Sequence, residues 1–379
     1  MDSKGDIMDS FVMPKPSPQR KPKVGLRAIA DDLGLSISFV SKVLSGRLGT
    51  SGVNAERARQ IHAKARELNY RKNMLAEALR TGRQNVFAVM IHRHGGPGSA
   101  IVDEMLGGVS EAAAAIGQRL LIHYYEDRKG FQEFLPLIHQ NSADGLIVAG
   151  IPHQDNVDDL AELDQLGIPI VTLHDQEFSP RFANVGMDQA KVSWMATKHL
   201  IDRGCRQIAH FRVQNPSAGL PVFRFEGYRQ ALKEHGLEIN PKRIIPVPDF
   251  AYEGGERAIV ELMASGVPFD AIVCQSDQQA IAAINHLINT DLRVPQHVKV
   301  IGVDNAPFCR FAVVPLTSVS QQFRERGRQS VQMLAGLLNG QPASSCQVDP
   351  VVWERASTAV SVEAVSNPSS AQRRPSPIR

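Results

Sequence analysis

Cysteine is scarce in this 379-residue chain. The four present (Cys205, Cys274, Cys309 and Cys346) lie at least 35 positions apart with no CxxC pair. That spacing excludes a local zinc knuckle and a disulfide scaffold, and it fits free thiols in a reducing cytoplasm. Long apolar runs are missing as well. A stretch such as Gly145–Ile151 (GLIVAGI) falls far short of the roughly 18 residues that cross a bilayer, so no membrane partner is expected. The first 23 residues, MDSKGDIMDSFVMPKPSPQRKPK, lack the continuous apolar segment of a signal peptide, so a cytoplasmic protein is expected. There is no nucleophile elbow, Walker loop, metal-ligand spacing or suitably placed Ser/His/Asp set, which argues against an enzyme. No catalytic residue, metal or cofactor is expected. The lack of a short-period repeat argues against a solenoid.

What is there is ordinary in bulk and uneven along the chain. Hydrophobic residues make up 43% and charged residues 21%, the balance of a soluble globular protein, and the length suits two or three domains. The net charge of +3 hides a split: residues 1–85 hold sixteen Lys and Arg against eight Asp and Glu, a net of +8 that leaves −5 for the remainder. A small basic module joined to a larger acidic one suggests a polyanion binder attached to a second function.

Residues 1–23 read as a disordered basic arm and 361–379, rich in Pro and Ser, as a disordered tail. Residues 24–71 show helical spacing. In Leu26–Leu44, LRAIADDLGLSISFVSKVL, the residues Leu26, Ile29, Ala30 and Leu33 form the apolar stripe of a first helix. Gly34 can take the positive φ of a tight turn. Ser36 is suited to cap a second helix, whose Val40, Val43 and Leu44 face inward. A third helix starts from a cap at Asn54, with Arg57, Ile61, Ala65 and Leu68 setting its period. A helix-turn-helix with the second helix in the DNA major groove fits this pattern; a small helical bundle with a solvated basic face fits it too.

From Val86 to about residue 360 the pattern changes to short β-rich runs: FAVMI, RLLIHYY, GLIVAG, PIVTL, QIAHF, AIVCQ and VKVIGV. Helical stretches lie between them, at Ile101–Ile116, Gln189–Arg203, Phe225–His235, Gly254–Ser265 and Gln278–Thr290. Strand–helix alternation predicts parallel α/β architecture with helices on both faces. Seven strands over this length suit two similar lobes, with a ligand cleft lined by the carboxyl ends of the strands. His92-Arg93-His94-Gly95-Gly96-Pro97-Gly98-Ser99 resembles a phosphate-cradling loop only loosely, since it is neither GxGxxG nor GK[ST]. A part in effector selection suits it better, and His92 and His94 read as polar lining rather than a metal pair.

Beyond these local readings, the ordered pieces LRAIADDLGLS, VSKVL, VNAERARQIHAKARELNY and NMLAEALR resemble the head of the lactose-repressor/galactose-repressor (LacI/GalR) family of bacterial transcription regulators. The blocks VGMDQAKVSWMATKHLIDRG, FRFEGYRQAL, AIVCQSDQQAIAAINHL, LRVPQHVKVIGVDNAPF and PLTSVSQ resemble its effector core, to about residue 359. The resemblance implies an all-α DNA-binding head, a hinge helix and linker over 72–85, and a two-lobed core of the periplasmic-binding-protein type. By the same resemblance, Ile37, Ser38 and Lys42 are base-reading positions, and Ser36, Ser41 and Asn54 phosphate contacts. Asn73 opens the hinge, and Leu79, with Ala76 on the same face, is the wedge that kinks the minor groove. Phe39 departs from the family's small hydroxyl residue. The effector ligands fall on Asp188, Arg224, Ser276, Asp277 and Asp304, a set whose carboxylates and guanidinium suit the hydroxyls of a carbohydrate. For Asp188 and Asp277, helix capping is the alternative.

The implied function is that of a nucleoid-associated transcriptional regulator, most simply a repressor. It would act as a homodimer on a pseudo-palindromic double-stranded operator, under the control of a small sugar-like effector. Two other readings compete: a transport-type sugar-binding protein, which the core alone allows, and an α/β sugar-processing enzyme.

Overall fold

The structure is a computed structural model that describes residues 25–44, 54–71, 78, 81–92, 99–150, 156–175, 179–214 and 219–359. The chain divides into two compact units, Met1–Gly82 and Arg83–Arg379.

Three helices build the described part of the first unit: α1 (Leu26–Leu33), α2 (Ile37–Leu44) and α3 (Ala55–Glu67). Gly34 ends α1 in the left-handed region, at φ 62°, where a Cβ would be strained. The chain reverses there, and the Leu35 amide returns to the Ala30 carbonyl at 2.9 Å. Ser36 Oγ accepts from the Phe39 amide at 3.1 Å, and Asn54 Oδ1 accepts from the Glu56 amide at 2.9 Å. Both caps therefore stand where the sequence places them. Ile29, Ala30, Val40, Val43, Ile61 and Ala65 form the buried core, with Leu26, Leu33, Phe39, Leu44 and Leu68 packed around it. Phe39 is thus half-buried structure rather than a polar contact. Lys64 of α3 pairs with Asp32 of α1 as well as with Glu67, which ties the third helix to the first.

The second unit holds two six-stranded sheets. In the first lobe the order is β11-β5-β4-β3-β1-β2, built from β1 (Val86–His92), β2 (Arg119–Tyr125), β3 (Gly145–Ala149), β4 (Ile170–Leu173), β5 (Ala183–Gly186) and β11 (Cys346–Gln347). The second lobe runs β12-β10-β9-β8-β6-β7, from β6 (Ile208–Val213), β7 (Ile244–Val247), β8 (Ala271–Val273), β9 (Lys299–Val303), β10 (Thr317–Ser320) and β12 (Val351–Trp353). Pairing is parallel except between β10 and β12.

Helices α4 (Ala100–Ala115), α5 (Arg128–Leu137) and α6 (Asn156–Gln165) serve the first lobe, and α7 (Gln189–Asp202), α8 (Gly219–Glu234), α9 (Tyr252–Ala264) and α10 (Asp277–Ile288) the second. Helix α11 (Phe323–Leu338) returns from the second lobe to pack on α4 and on β3–β5. The chain therefore crosses between lobes three times: after β5, after β10, and between β11 and β12. Interior strand residues such as Val89, Ile147, Val171, Val273 and Ile301 are fully buried, as sheets covered on both faces require.

Among the described residues twelve strands are present, against the seven expected. The five unread ones carry weak signals. β5 contains Asn and Gly, and three of the four residues of β10 are Ser or Thr. β11 and β12 span two and three residues, and β7 holds Pro246, tolerated because β7 is an edge strand. Helices α5, α6 and α11 were also unread, and α8 begins at Gly219 rather than Phe225.

Candidate functional site

Two surfaces carry polar side chains that the folding of their own units does not consume. The first is one face of α2. Ile37, Ser38 and Lys42 lie exposed on it and Ser41 half-buried beside them, opposite the inward Val40 and Val43. Ile37 leaves 45% of its surface in solvent, an apolar side chain offered outward at the helix start. Ser36 is exposed, but its hydroxyl serves the cap. Asn54 likewise spends its carbonyl oxygen on a cap. Asn73, Ala76, Leu79 and residues 93–98 lie outside the described residues, as do the arm and the tail.

The second surface is formed by the carboxyl ends of the strands in the two lobes. At its centre Arg224, buried on α8, donates from Nε to Gln189 Oε1 at 2.8 Å and from Nη1 to the Gln275 carbonyl. Gln189 Nε2 donates to Gln321 Oε1 at 2.6 Å, and Gln321 Nε2 donates to Asp304 Oδ1 at 2.5 Å. The hydrogen bonds thus all point one way, from a cation to a carboxylate, and each polarises the next. Gln189 and Gln321 sit at the two crossings that follow β5 and β10, so the relay spans the junction of the lobes. Asp304 is held after β9 at φ 113°, a strained conformation for a non-glycine residue that its surroundings must impose. Burial pushes its carboxyl up from the ordinary range, opposed by the Arg224 charge. Burial also pulls the Arg224 guanidinium down, opposed chiefly by Asp304 and then by Asp175 of the first lobe. Phe250 lies 5.6 Å from the Arg224 guanidinium carbon and gives the site an aromatic wall.

The other three expected ligands are placed differently. Asp188 is exposed and caps α7, accepting from the Lys191 amide at 3.0 Å. Ser276 is buried and caps α10; its hydroxyl donates to the Phe250 carbonyl at 2.6 Å and accepts from the Gln279 amide. Asp277 is buried and braces the loop after β9, accepting from Ser318 Oγ at 2.5 Å and from the Ala306 amide at 2.7 Å. Burial raises this carboxyl too. The structure therefore brings Arg224 and Asp304 together and gives Asp188, Ser276 and Asp277 structural partners.

Sequence reasoning missed Gln189, Gln275 and Gln321. Gln275 is buried with neither amide atom hydrogen-bonded, and its place two residues after β8 is the signal that could have found it. On the first lobe His92 ends β1, its Nε2 within 3.1 Å of the Glu126 carbonyl and its ring edge-on to Tyr125. Among the described residues no group of three or more His, Cys, Asp or Glu is disposed to hold a metal ion, and no helix is long and apolar enough to cross a membrane.

A capped three-helix head with an exposed polar face, joined to a two-lobed parallel α/β core, defines a class: a core of the periplasmic-binding-protein type carrying a helix-turn-helix. Comparison with known proteins agrees. Residues 197–358 match the model of the periplasmic binding protein-like domain. The chain is 27% identical over 341 residues to the HTH-type transcriptional repressor PurR of Pectobacterium atrosepticum, covering 88% of this chain and 96% of that one. Among solved structures, the Lac repressor dimer bound to operator and the anti-inducer ONPF superposes with a TM-score of 0.71 at 21% identity, covering 89% of this chain and 99% of that one. A CelR–cellobiose complex superposes with a TM-score of 0.63 at 23% identity, covering 88% and 100%. Over most of its length the chain is thus similar to HTH-type transcriptional repressors, and its fold is that of the Lac repressor.

Proposed function

We propose that this protein is a cytoplasmic transcriptional repressor and not an enzyme, and that a small molecule held between its lobes sets its affinity for operator DNA. The observation that carries the reading is the pairing, in one chain, of an exposed α2 face with a polar relay that crosses the lobe junction. Ile37, Ser38 and Lys42 read bases from the major groove, by methyl contact, hydroxyl exchange and donation to guanine. Ser36, Ser41 and Asn54 hold phosphates and set register. Asn73, Ala76 and Leu79 belong to the hinge that enters the minor groove. The protein acts as a homodimer on a pseudo-palindrome, because one helix-turn-helix reads one half-site. Phe308, Phe311 and Val313, exposed on the loop between β9 and β10, are the apolar side chains a second copy would cover.

The direct test is binding of the full chain to an operator selected from random duplexes. Lys42→Ala is expected to weaken the selected site by about 1–3 kcal/mol if Lys42 reads a base. A contact to phosphate alone would weaken random and selected duplexes alike. Unchanged binding to both would remove α2 as the reading helix.

The effector is a carbohydrate or a relative of one: Asp304 accepts from its hydroxyls and Arg224 donates to them. CelR with cellobiose is a neighbour that holds such a ligand. A ligand shifts an equilibrium only through different affinities for its two states, and a relay anchored at two crossings differs between lobe closures. Arg224→Ala and Asp304→Ala are therefore expected to abolish the effect of ligand on operator binding, read by titrating operator with and without ligand. A wild-type response in both variants would place the effector elsewhere.

A further inference from the structure

The first-lobe side of the same cleft holds a cation that the relay does not use. Arg326 lies in the first turn of α11 and is only 4% exposed. Its Nη1 reaches Asp175 Oδ1 at 3.5 Å and its Nη2 reaches the Val185 carbonyl at 3.4 Å, while Nε has no acceptor. Both bonds lie at the outer limit of hydrogen bonding. A guanidinium carries five N–H donors, and a buried charge is normally both paired and fully hydrogen-bonded. Phe323 offers a ring 5.6 Å from the guanidinium carbon but no acceptor. Arg326 is thus a buried cation short of oxygen atoms.

Its position points to a ligand as the missing partner. Asp175 and His174 directly follow β4, at the carboxyl edge of the first sheet, the edge at which ligands of open α/β sheets bind. Asp175 pairs with Arg326, and its charge is felt by Arg224 as well. Burial pushes the Asp304 carboxyl up, which lessens the negative charge these guanidinium groups face.

We propose that Arg326 receives the carboxylate of the effector, so that the ligand is a sugar acid rather than a neutral sugar. The inference rests on the cleft being the effector site. A planar carboxylate suits the guanidinium fork and can take up Nε and one Nη together. The hydroxylated body of the ligand then lies toward Arg224, Gln275 and Asp304. A singly charged group fits beside Asp175, whereas a doubly charged phosphate there meets stronger repulsion.

The test uses the full chain with D-glucuronate, D-galacturonate and D-gluconate as acids, D-glucose and D-galactose as neutral counterparts, and glucose 6-phosphate as the phosphate arm, all at one ionic strength. Thermal shift and calorimetry are read on the wild type, Arg326→Leu and Arg326→Lys. At least one acid is expected to bind about 30-fold more tightly than the neutral sugars, with Arg326→Leu removing that preference. Arg326→Lys keeps the charge without the fork and is expected to lose about tenfold, which keeps the test decisive should the leucine variant not fold. Preference for glucose 6-phosphate, no response to any acid, or acid binding unchanged in both variants would overturn the proposal. Binding of a neutral sugar that Arg224→Ala abolishes would keep the cleft as the effector site and remove only the anion. Silence toward every probe, with operator affinity unmoved by any of them, would count against the cleft reading as well.

Discussion

Replacing Gly108 with alanine is expected to lower the stability of the second unit by about 3 kcal/mol, while the same change at its neighbour Gly107 is expected to cost less than about 1 kcal/mol. Both glycines lie on α4 where it crosses α11. A Cβ at Gly108 would run into the backbone carbonyl of Arg324, whereas at Gly107 it would meet only the Arg324 guanidinium, 2.8 Å from Nη2. Backbone cannot step aside without parting the helices, and a half-exposed guanidinium can swing away. Alanine is otherwise favoured over glycine in a helix by about 1 kcal/mol, so the nature of the contact decides the sign. Gly227 of α8 repeats the situation in the second lobe, where a Cβ would strike the Ala190 carbonyl and the Trp194 amide of α7. Those two helices carry Arg224 and Gln189, so Gly227→Ala is expected to disturb the relay as well as the fold. Thermal unfolding of the full chain checks this: midpoints about 6–12 °C lower for Gly108→Ala and Gly227→Ala, and nearly unchanged for Gly107→Ala. Equal shifts at Gly107 and Gly108 would mean that close backbone approach does not set the packing of α4 on α11.

How much of this was legible in the sequence follows from how local each signal is. The head was legible residue by residue. The glycine turn at Gly34, the caps at Ser36 and Asn54, and the stripe through Ile29, Val40 and Ile61 each depend on neighbours within four positions or on helical period. The parallel α/β class of the core was legible for the same reason. Its weak edge strands were not, because Pro246 and the short β11 and β12 are strands only through their partners. The polar relay depends on contacts between residues far apart in the chain. Gln189 meets Gln321 across 132 positions, and nothing around either glutamine sets it apart from a solvated one. Family resemblance named Arg224 and Asp304, which the structure joins through the glutamine relay, together with Ser276 and Asp277, whose polar atoms are hydrogen-bonded within the second lobe. Arg326 escaped notice because an arginine near a helix start reads as surface charge until its burial is known.

Replacing His210 with leucine is expected to make the protein progressively more acid-resistant than the wild type. His210 lies in the middle of β6 with no exposed surface, its ring 4.7 Å from Tyr228 and 5.7 Å from Phe225, and neither ring nitrogen hydrogen-bonded. Burial drives its pKa down from 6.5 to about 3, with Arg212 and Arg224 adding repulsion. The unfolded chain therefore takes up this proton first. The stability tied to neutral His210 is complete above pH 6.5 and is lost as pH falls, at about 1.4 kcal/mol per pH unit, until the folded pKa is reached. His174, lowered to about 3 by its own burial, acts in the same direction. Asp277 and Asp304 act oppositely: burial raises their carboxyls, so their cost is greatest at high pH and is relieved over much of the same acid range. The wild-type profile is flattened by this opposition, and the histidine contribution emerges only as a difference. Urea unfolding from pH 6.5 to 4.5 is expected to show the gap between His210→Leu and wild type widening by about 2.3 kcal/mol in favour of the variant. A gap constant with pH would mean that His210 finds a proton acceptor or water in the folded protein, and its burial between Phe225 and Tyr228 would not be the dry contact the geometry describes.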